Sequence, residues 1–264
     1  VRINGEYLSN LRFADDIVLF SNNGDELQQM IEDLNRESVR VGLKINMQKT
    51  KIMFNSLARE QEFRIASQPL ESVKEYVYLG QLLTGDPDHE KEIYRRIKLG
   101  WSAYGRHYQI LTGRLPLSLK RKVYNHCILP VLTYGAETWR LTKKLENKLR
   151  TAQRAMERKM LGLTLKDRKR AVWIREQTGI ADILVDIKRK KWSRGRPWVM
   201  RRMDNRWTIR VTEWIPREEK HSRGRQKTRY GDEVGKFAGE SWIQLAQDSG
   251  NWRSQGEAFV LRWT

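Results

Sequence analysis

The sequence predicts an α+β chain with its strands in the first third and a mainly helical remainder. Three observations carry this. Short apolar runs at Tyr7–Phe13 and Ile17–Phe20 flank a pair of adjacent aspartates. Leu27, Met30, Ile31, Leu34 and Val41 then recur at helical spacing. From residue 89 to 165 apolar residues repeat four apart, as in Ile93 with Ile97, Val123 with Cys127 and Met156 with Met160.

In chain order, Ala14-Asp15-Asp16 reads as a tight turn. In a continued strand neighbouring side chains point to opposite faces, whereas a turn can hold both carboxylates at a hairpin tip. Paired carboxylates suit a hard cation such as Mg²⁺ beside substrate phosphates; a solvated turn accepts Asp-Asp equally well. Ser21-Asn22-Asn23-Gly24-Asp25 offers a helix N-cap, and Gly42 a helix stop. Leu43-Lys44-Ile45-Asn46 alternates as a strand does, and Ile52-Met53-Phe54 reads as another. Tyr76–Leu83 reads as a hairpin arm before the turn Thr84-Gly85-Asp86-Pro87. Pro130 is expected to break or kink the helix holding Cys127 and Ile128. Leu145–Leu161 mixes basic and apolar positions as an amphipathic helix does, and 232–247 predicts one more helix. Arg223-Gly224-Arg225-Gln226-Lys227 reads as a flexible linker.

In this setting Phe13-Ala14-Asp15-Asp16 resembles the third catalytic motif of reverse transcriptases. Gly42-Leu43-Lys44-Ile45-Asn46, with Lys49-Thr50, resembles the next motif of the same palm, and Tyr78-Leu79-Gly80 resembles the primer-grip hairpin. Leu129-Pro130-Val131-Leu132-Thr133-Tyr134-Gly135 and Glu137-Thr138-Trp139 are similar to the region after the polymerase in non-LTR (LINE-type) retrotransposon proteins. Three motifs in order are far more specific than any one, and the resemblance runs along most of the chain, weakest in its last third.

The resemblance implies a partial palm with its primer-grip hairpin at 1–88. A thumb-like helical region follows at 89–180, then a basic, Trp/Arg-rich and partly flexible region at 181–264. It implies RNA-directed DNA polymerisation by metal-dependent nucleotidyl transfer, with Mg²⁺ as cofactor of the intact polymerase. Asp15 would ligate the metal, and Asp16 would ligate it more weakly or shape its field. Lys49 would assist the leaving group, and Tyr78, Leu79 and Gly80 would position the primer. Lys49 can equally be a surface lysine, and Tyr78 and Leu79 can pack as apolar side chains. Gly80 permits a close backbone approach that a side chain would block.

The family pattern also includes a further aspartate and a Gly/Gln-containing motif ahead of the hairpin. Asp15 lies fourteen residues after Val1. The chain is therefore expected to be a C-terminal fragment that is inactive alone, with a non-catalytic nucleic-acid-binding remnant as the alternative. Near residue 194 the pattern leads to Trp-Ala-Gly-His, where this chain has Arg194-Gly195-Arg196-Pro197-Trp198.

Charge supports a nucleic-acid partner independently. The chain holds 51 Lys and Arg against 32 Asp and Glu, net +19. Residues 1–90 carry net −5 and the remainder +24. A basic body can track a phosphate backbone and release its counterions. The candidate contacts are Lys190, Lys191, Arg194, Arg196, Arg223, Arg225, Lys227 and Arg229. Their clusters would also serve as nuclear-import signals. All ten tryptophans lie beyond residue 100, with Trp192, Trp198, Trp207 and Trp214 in the most basic stretch. Each is open to two readings, base stacking or core packing. The expected partners are an RNA template and a DNA primer or duplex, with deoxynucleotides the small-molecule substrate.

Other classes find no support. Cys127 stands alone, so no disulfide framework forms and a reducing compartment, nuclear or cytoplasmic, is expected. The four histidines lack zinc-site partners at ligand spacing. No apolar run approaches membrane-spanning length, and no signal-like segment opens the chain at Val1.

Overall fold

Short strands joined by two-residue turns build the first part of the chain. The computed structural model describes residues 2–3, 5–86, 88–194, 207–214 and 229–262. These fall into two compact units, Val1–Asp88 and His89–Thr264.

In the first unit, β1 (Arg2–Ile3) pairs with β2 (Glu6–Tyr7), and β3 (Asn10–Phe13) with β4 (Asp16–Leu19), both antiparallel. Helix α1 (Gly24–Arg40) follows. Asn23 caps its start by accepting from Asp25 N at 2.9 Å. Its end closes as the sequence predicts: Gly42 takes φ +74 and donates to Val39 O, while Leu43 N donates to Ser38 O. This reciprocal pair satisfies the last carbonyls and needs a left-handed residue at Gly42. Beyond it β5 (Lys51–Ile52) pairs in parallel with β8 (Glu71–Ser72). β6 (Arg64–Ile65) pairs with β7 (Gln68–Pro69), and β9 (Glu75–Tyr78) with β10 (Gln81–Thr84), again antiparallel. Ile31 packs with Ile52, Phe63, Ile65 and Leu70, and Leu27 lies against this cluster.

Two readings of this region are corrected. Leu43–Asn46 joins no ladder among the described residues. The helix closure occupies one end of the segment, and at the other Asn46 turns the chain by accepting from Lys49 N and Thr50 N. Tyr76–Leu83 is not one arm but both arms of a hairpin, because Leu79 (φ +45) and Gly80 (φ +78) form the turn inside the run. Two successive positive φ values match the right-handed twist of the flanking strands.

The second unit is helical. Its helices are α2 (His89–Arg106), α3 (Tyr108–Thr112), α4 (Leu117–Val123), α5 (Leu129–Leu132), α6 (Lys143–Met160), α7 (Ala171–Thr178) and α8 (Ile183–Arg194). They are followed by α9 (Trp207–Glu213), α10 (Tyr230–Ala238), α11 (Trp242–Gln247) and α12 (Ser249–Arg262). A π-helical stretch, Tyr124–Ile128, joins α4 to α5. Pro130 has no N–H and its ring crowds the carbonyl four residues back, so the widened turn accommodates it without ending the helix. Gly135 (φ +68) then turns the chain, and Ala136 and Trp139 are buried. The 232–247 reading is corrected too: Gly239 (φ +86) splits the segment into α10 and α11. Helix α12 is absent from the sequence reading, because Gly250 and Gly256 lower its propensity.

Two cores organise this unit. The larger joins Ile93, Tyr104, Leu149, Met156, Ile183 and Ile187, among others. Asp182 ties it at the start of α8: Oδ1 accepts from Leu184 N, and Oδ2 meets Arg150 (3.0 Å) and Arg175 (2.9 Å). The second core gathers Trp192, Val234, Trp242, Trp252 and Phe259. The rings of Trp192 and Trp252 stack 3.9 Å apart, 7° from parallel. Among the described residues no helix is long and apolar enough to cross a membrane.

Glu157 is 1% exposed in the larger core, where it accepts from the Thr178 hydroxyl at 3.1 Å. Burial pushes its pKa up from 4.5 to about 7, partly offset by the Thr178 bond and Arg175. A raised carboxyl favours the folded state while protonated. Stability should therefore fall as pH rises from about 4.5 to 7, by on the order of 3 kcal/mol. Glu157→Gln keeps a hydrogen-bonding amide but cannot ionise. Denaturant melts across this range should show a flatter pH profile for the variant; an unchanged profile would assign the slope to other groups.

Candidate functional site

One face of one strand bonds the Lys49 loop and lies within electrostatic reach of the aspartate hairpin. The β3–β4 hairpin pairs Phe13 with Asp16, so Ala14 and Asp15 form its two-residue turn. Ala14 takes φ +52. Positive φ is uncommon for a residue with a Cβ and marks a constrained tip. Both aspartates are exposed, and among the described residues neither enters an ion pair. Asp15 stands at the turn and Asp16 on the strand beside it.

On the β9–β10 hairpin, Tyr78 and Gln81 flank the Leu79-Gly80 turn. Burial raises the pKa of the Tyr78 hydroxyl, and the negative charge of Asp16 raises it further. The structure thus brings Tyr78 within electrostatic reach of the aspartate hairpin. Tyr76 lies two residues earlier, on the same face of β9. Its hydroxyl donates to Lys49 O at 3.1 Å. The Lys49 side chain is exposed, and its backbone is held by Asn46. Sequence reasoning assigned Tyr76 no role at the site; the Tyr-x-Tyr spacing in a strand was the available signal.

The carboxylate pair offers hard oxygen donors open to solvent, which fits Mg²⁺ held by one or two carboxylates with phosphate oxygens. Among the described residues no group of three acidic, histidine or cysteine side chains gathers at one point.

The basic residues singled out in the sequence stand apart from these hairpins in the chain, and most that are described have internal partners. Lys191 is buried and pairs with Glu233 at 2.6 Å. Lys190 bonds Thr133 O at 3.0 Å and meets Asp186 at 3.3 Å. Arg194 lies 5.3 Å over the Tyr230 ring. Arg229 pairs with Asp232 at 3.2 Å and donates to Trp214 O, anchoring the start of α10. Arg196, Arg223, Arg225 and Lys227, with Trp198 and the 223–227 linker, lie outside the described residues. Trp192 is a core side chain.

Comparison with known proteins bears on the segment that carries these hairpins. Residues 6–83 match the family model for reverse transcriptase (RNA-dependent DNA polymerase). An uncharacterized transposon-derived protein of Caenorhabditis elegans is 33% identical over 271 residues, covering 96% of each chain. No solved structure matches. The chain belongs to the family of this transposon-derived protein, and its segment 6–83 is a reverse transcriptase match.

Proposed function

We propose that this chain carries the metal-binding hairpin and primer-positioning elements of an RNA-directed DNA polymerase of the non-LTR (LINE-type) class. The observation that carries the reading is the face of β9, from which Tyr76 bonds the Lys49 loop and Tyr78 lies within electrostatic reach of Asp16. Asp15 and Asp16 would hold Mg²⁺, which in such polymerases activates the primer hydroxyl and stabilises the leaving pyrophosphate. Lys49 would offer its ammonium proton to the leaving group. The Leu79-Gly80 turn would set the primer backbone, with Tyr78 holding it near the carboxylates. The +24 charge of residues 91–264 supports the second reading, a nucleic-acid-binding role without catalysis, and both readings place the chain with RNA template and DNA in nucleus or cytoplasm.

Two measurements test this. Mn²⁺ added as a paramagnetic stand-in should broaden the amide signals of Ile17 and Val18, and Asp15→Asn with Asp16→Asn should abolish the broadening. Equal broadening in the double variant would remove the metal role. The 264-residue chain alone should extend no primer on an RNA template with Mg²⁺ and deoxynucleotides. Its described residues gather only two carboxylates at the tip, and the family's palm uses a third. Extension that Asp15→Ala abolishes would overturn the expected inactivity and establish the polymerase directly.

A further inference from the structure

The connection between α6 and α7 differs in kind from the basic cluster of α8. In α8, Lys188 and Lys191 are buried and Arg189 is paired with Glu257. In the connection, Lys166, Arg168, Lys169 and Arg170 are all exposed. Among the described residues none of the four forms an ion pair within 4.0 Å. Asp167, the one acid in this run, is already engaged. Its Oδ2 accepts from Thr164 N at 2.7 Å and from the Thr164 hydroxyl at 2.9 Å, closing a capping box around the turn Leu165–Asp167. Arg168 then takes a left-handed backbone, φ +45. The four cations therefore sit on a backbone shaped before any ligand arrives, which lowers the ordering cost of binding.

An aromatic face lies beside them. Trp173 is 38% exposed, with Lys169 Nζ 5.2 Å from its ring centroid. Leu165 is more open still. Spaced cations with an accessible indole match what a single strand offers, a flexible run of phosphates with bases free to stack. A duplex supplies the phosphates but hides the base faces. An acidic protein surface supplies charge without regularly spaced π faces.

We propose that residues 164–173 form a binding patch for single-stranded nucleic acid, in which Lys166, Arg168, Lys169 and Arg170 contact phosphates and Trp173 stacks on a base. The patch goes beyond the polymerase reading, because it requires neither metal nor the aspartate hairpin.

The test uses the full chain and a fluorescent oligouridylate of about 12 nucleotides. Binding is followed by anisotropy in EDTA without deoxynucleotides, so polymerisation plays no part. Changing all four cations to glutamine should weaken binding about tenfold or more, and the salt slope should shrink by roughly 0.7 for each phosphate no longer neutralised. Trp173→Ala should weaken binding about five- to a hundredfold, and Trp173→Phe should retain most of it. Because the assay holds no free metal and no deoxynucleotide, its outcome is independent of the catalytic reading, which separates failure of this patch from failure of that reading. Circular dichroism confirms that each variant is folded. Parent-like affinity in the glutamine variant or in Trp173→Ala overturns the proposal. So does equal binding of a blunt duplex, or binding to phosphatidylserine vesicles in place of the oligonucleotide.

Discussion

Raising salt from about 50 to 200 mM is expected to lower the affinity of this chain for duplex DNA about a thousandfold if six phosphates are engaged. The driving force is counterion release, which adds roughly 0.9 to the slope of log affinity on log salt for each phosphate neutralised. Residues 91–264 carry the required excess at net +24, while residues 1–90 at net −5 repel the same ligand. Sequence preference should be slight, because phosphate contacts position a protein without reading bases. Arg223→Ala and Arg225→Ala should weaken binding to all sequences alike. Arg229→Ala should act differently. Its guanidinium holds Asp232 and Trp214 O, so its loss should loosen α10 and show first as lower stability. A flat salt dependence would return the basic residues to an ordinary solvated surface.

Replacing Trp252 with alanine is expected to cost about 3–5 kcal/mol, the usual range for deleting a large buried aromatic. Trp252 is 1% exposed and stacked on Trp192. Each indole N–H donates to the other residue's backbone carbonyl, Trp192 to Trp252 at 2.9 Å and Trp252 to Trp192 at 3.1 Å. Alanine leaves a cavity and strips the Trp192 carbonyl of its donor. Trp252→Phe keeps a ring but no N–H, so it should cost about 1–3 kcal/mol, the loss of one satisfied buried group. The loss should fall on the cluster of Trp192, Val234, Trp242 and Phe259 while the α2–α6 core persists. Denaturation followed by the amide signals of Val234 and Phe259, and separately by those of Ile93 and Met156, should give two transitions in the alanine variant. A single transition within about 1 kcal/mol of the parent would show that the stack adds little.

Local chemistry explains what was legible in the sequence. Asn23 and Gly42 bound α1 through backbone bonds that need only their own residues and near neighbours. The aspartate turn was legible for the same reason, since apolar runs on both sides leave the carboxylates at the bend. The Leu43–Asn46 reading failed because alternation describes a strand only when a partner strand is present to bond it. The split of α10 from α11 at Gly239 turned on one left-handed backbone angle, which 3.6-residue spacing does not encode.

The sequence by itself determined the α+β order, the aspartate hairpin, the motif succession and the concentration of positive charge beyond residue 90. Each follows from residue type and spacing along the chain. Tertiary structure alone decided which side chains meet. It brought Tyr78 within electrostatic reach of Asp16 and bonded Tyr76 to the Lys49 loop, although about 60 and 30 residues of chain separate those pairs. It turned Lys191 and Trp192 inward, because Glu233 and Trp252 satisfy them there, and left Lys166–Arg170 and Trp173 facing solvent. The physical reason is that burying a charge or an indole N–H costs free energy that a partner offsets, and partners distant in sequence become neighbours only when the helices pack.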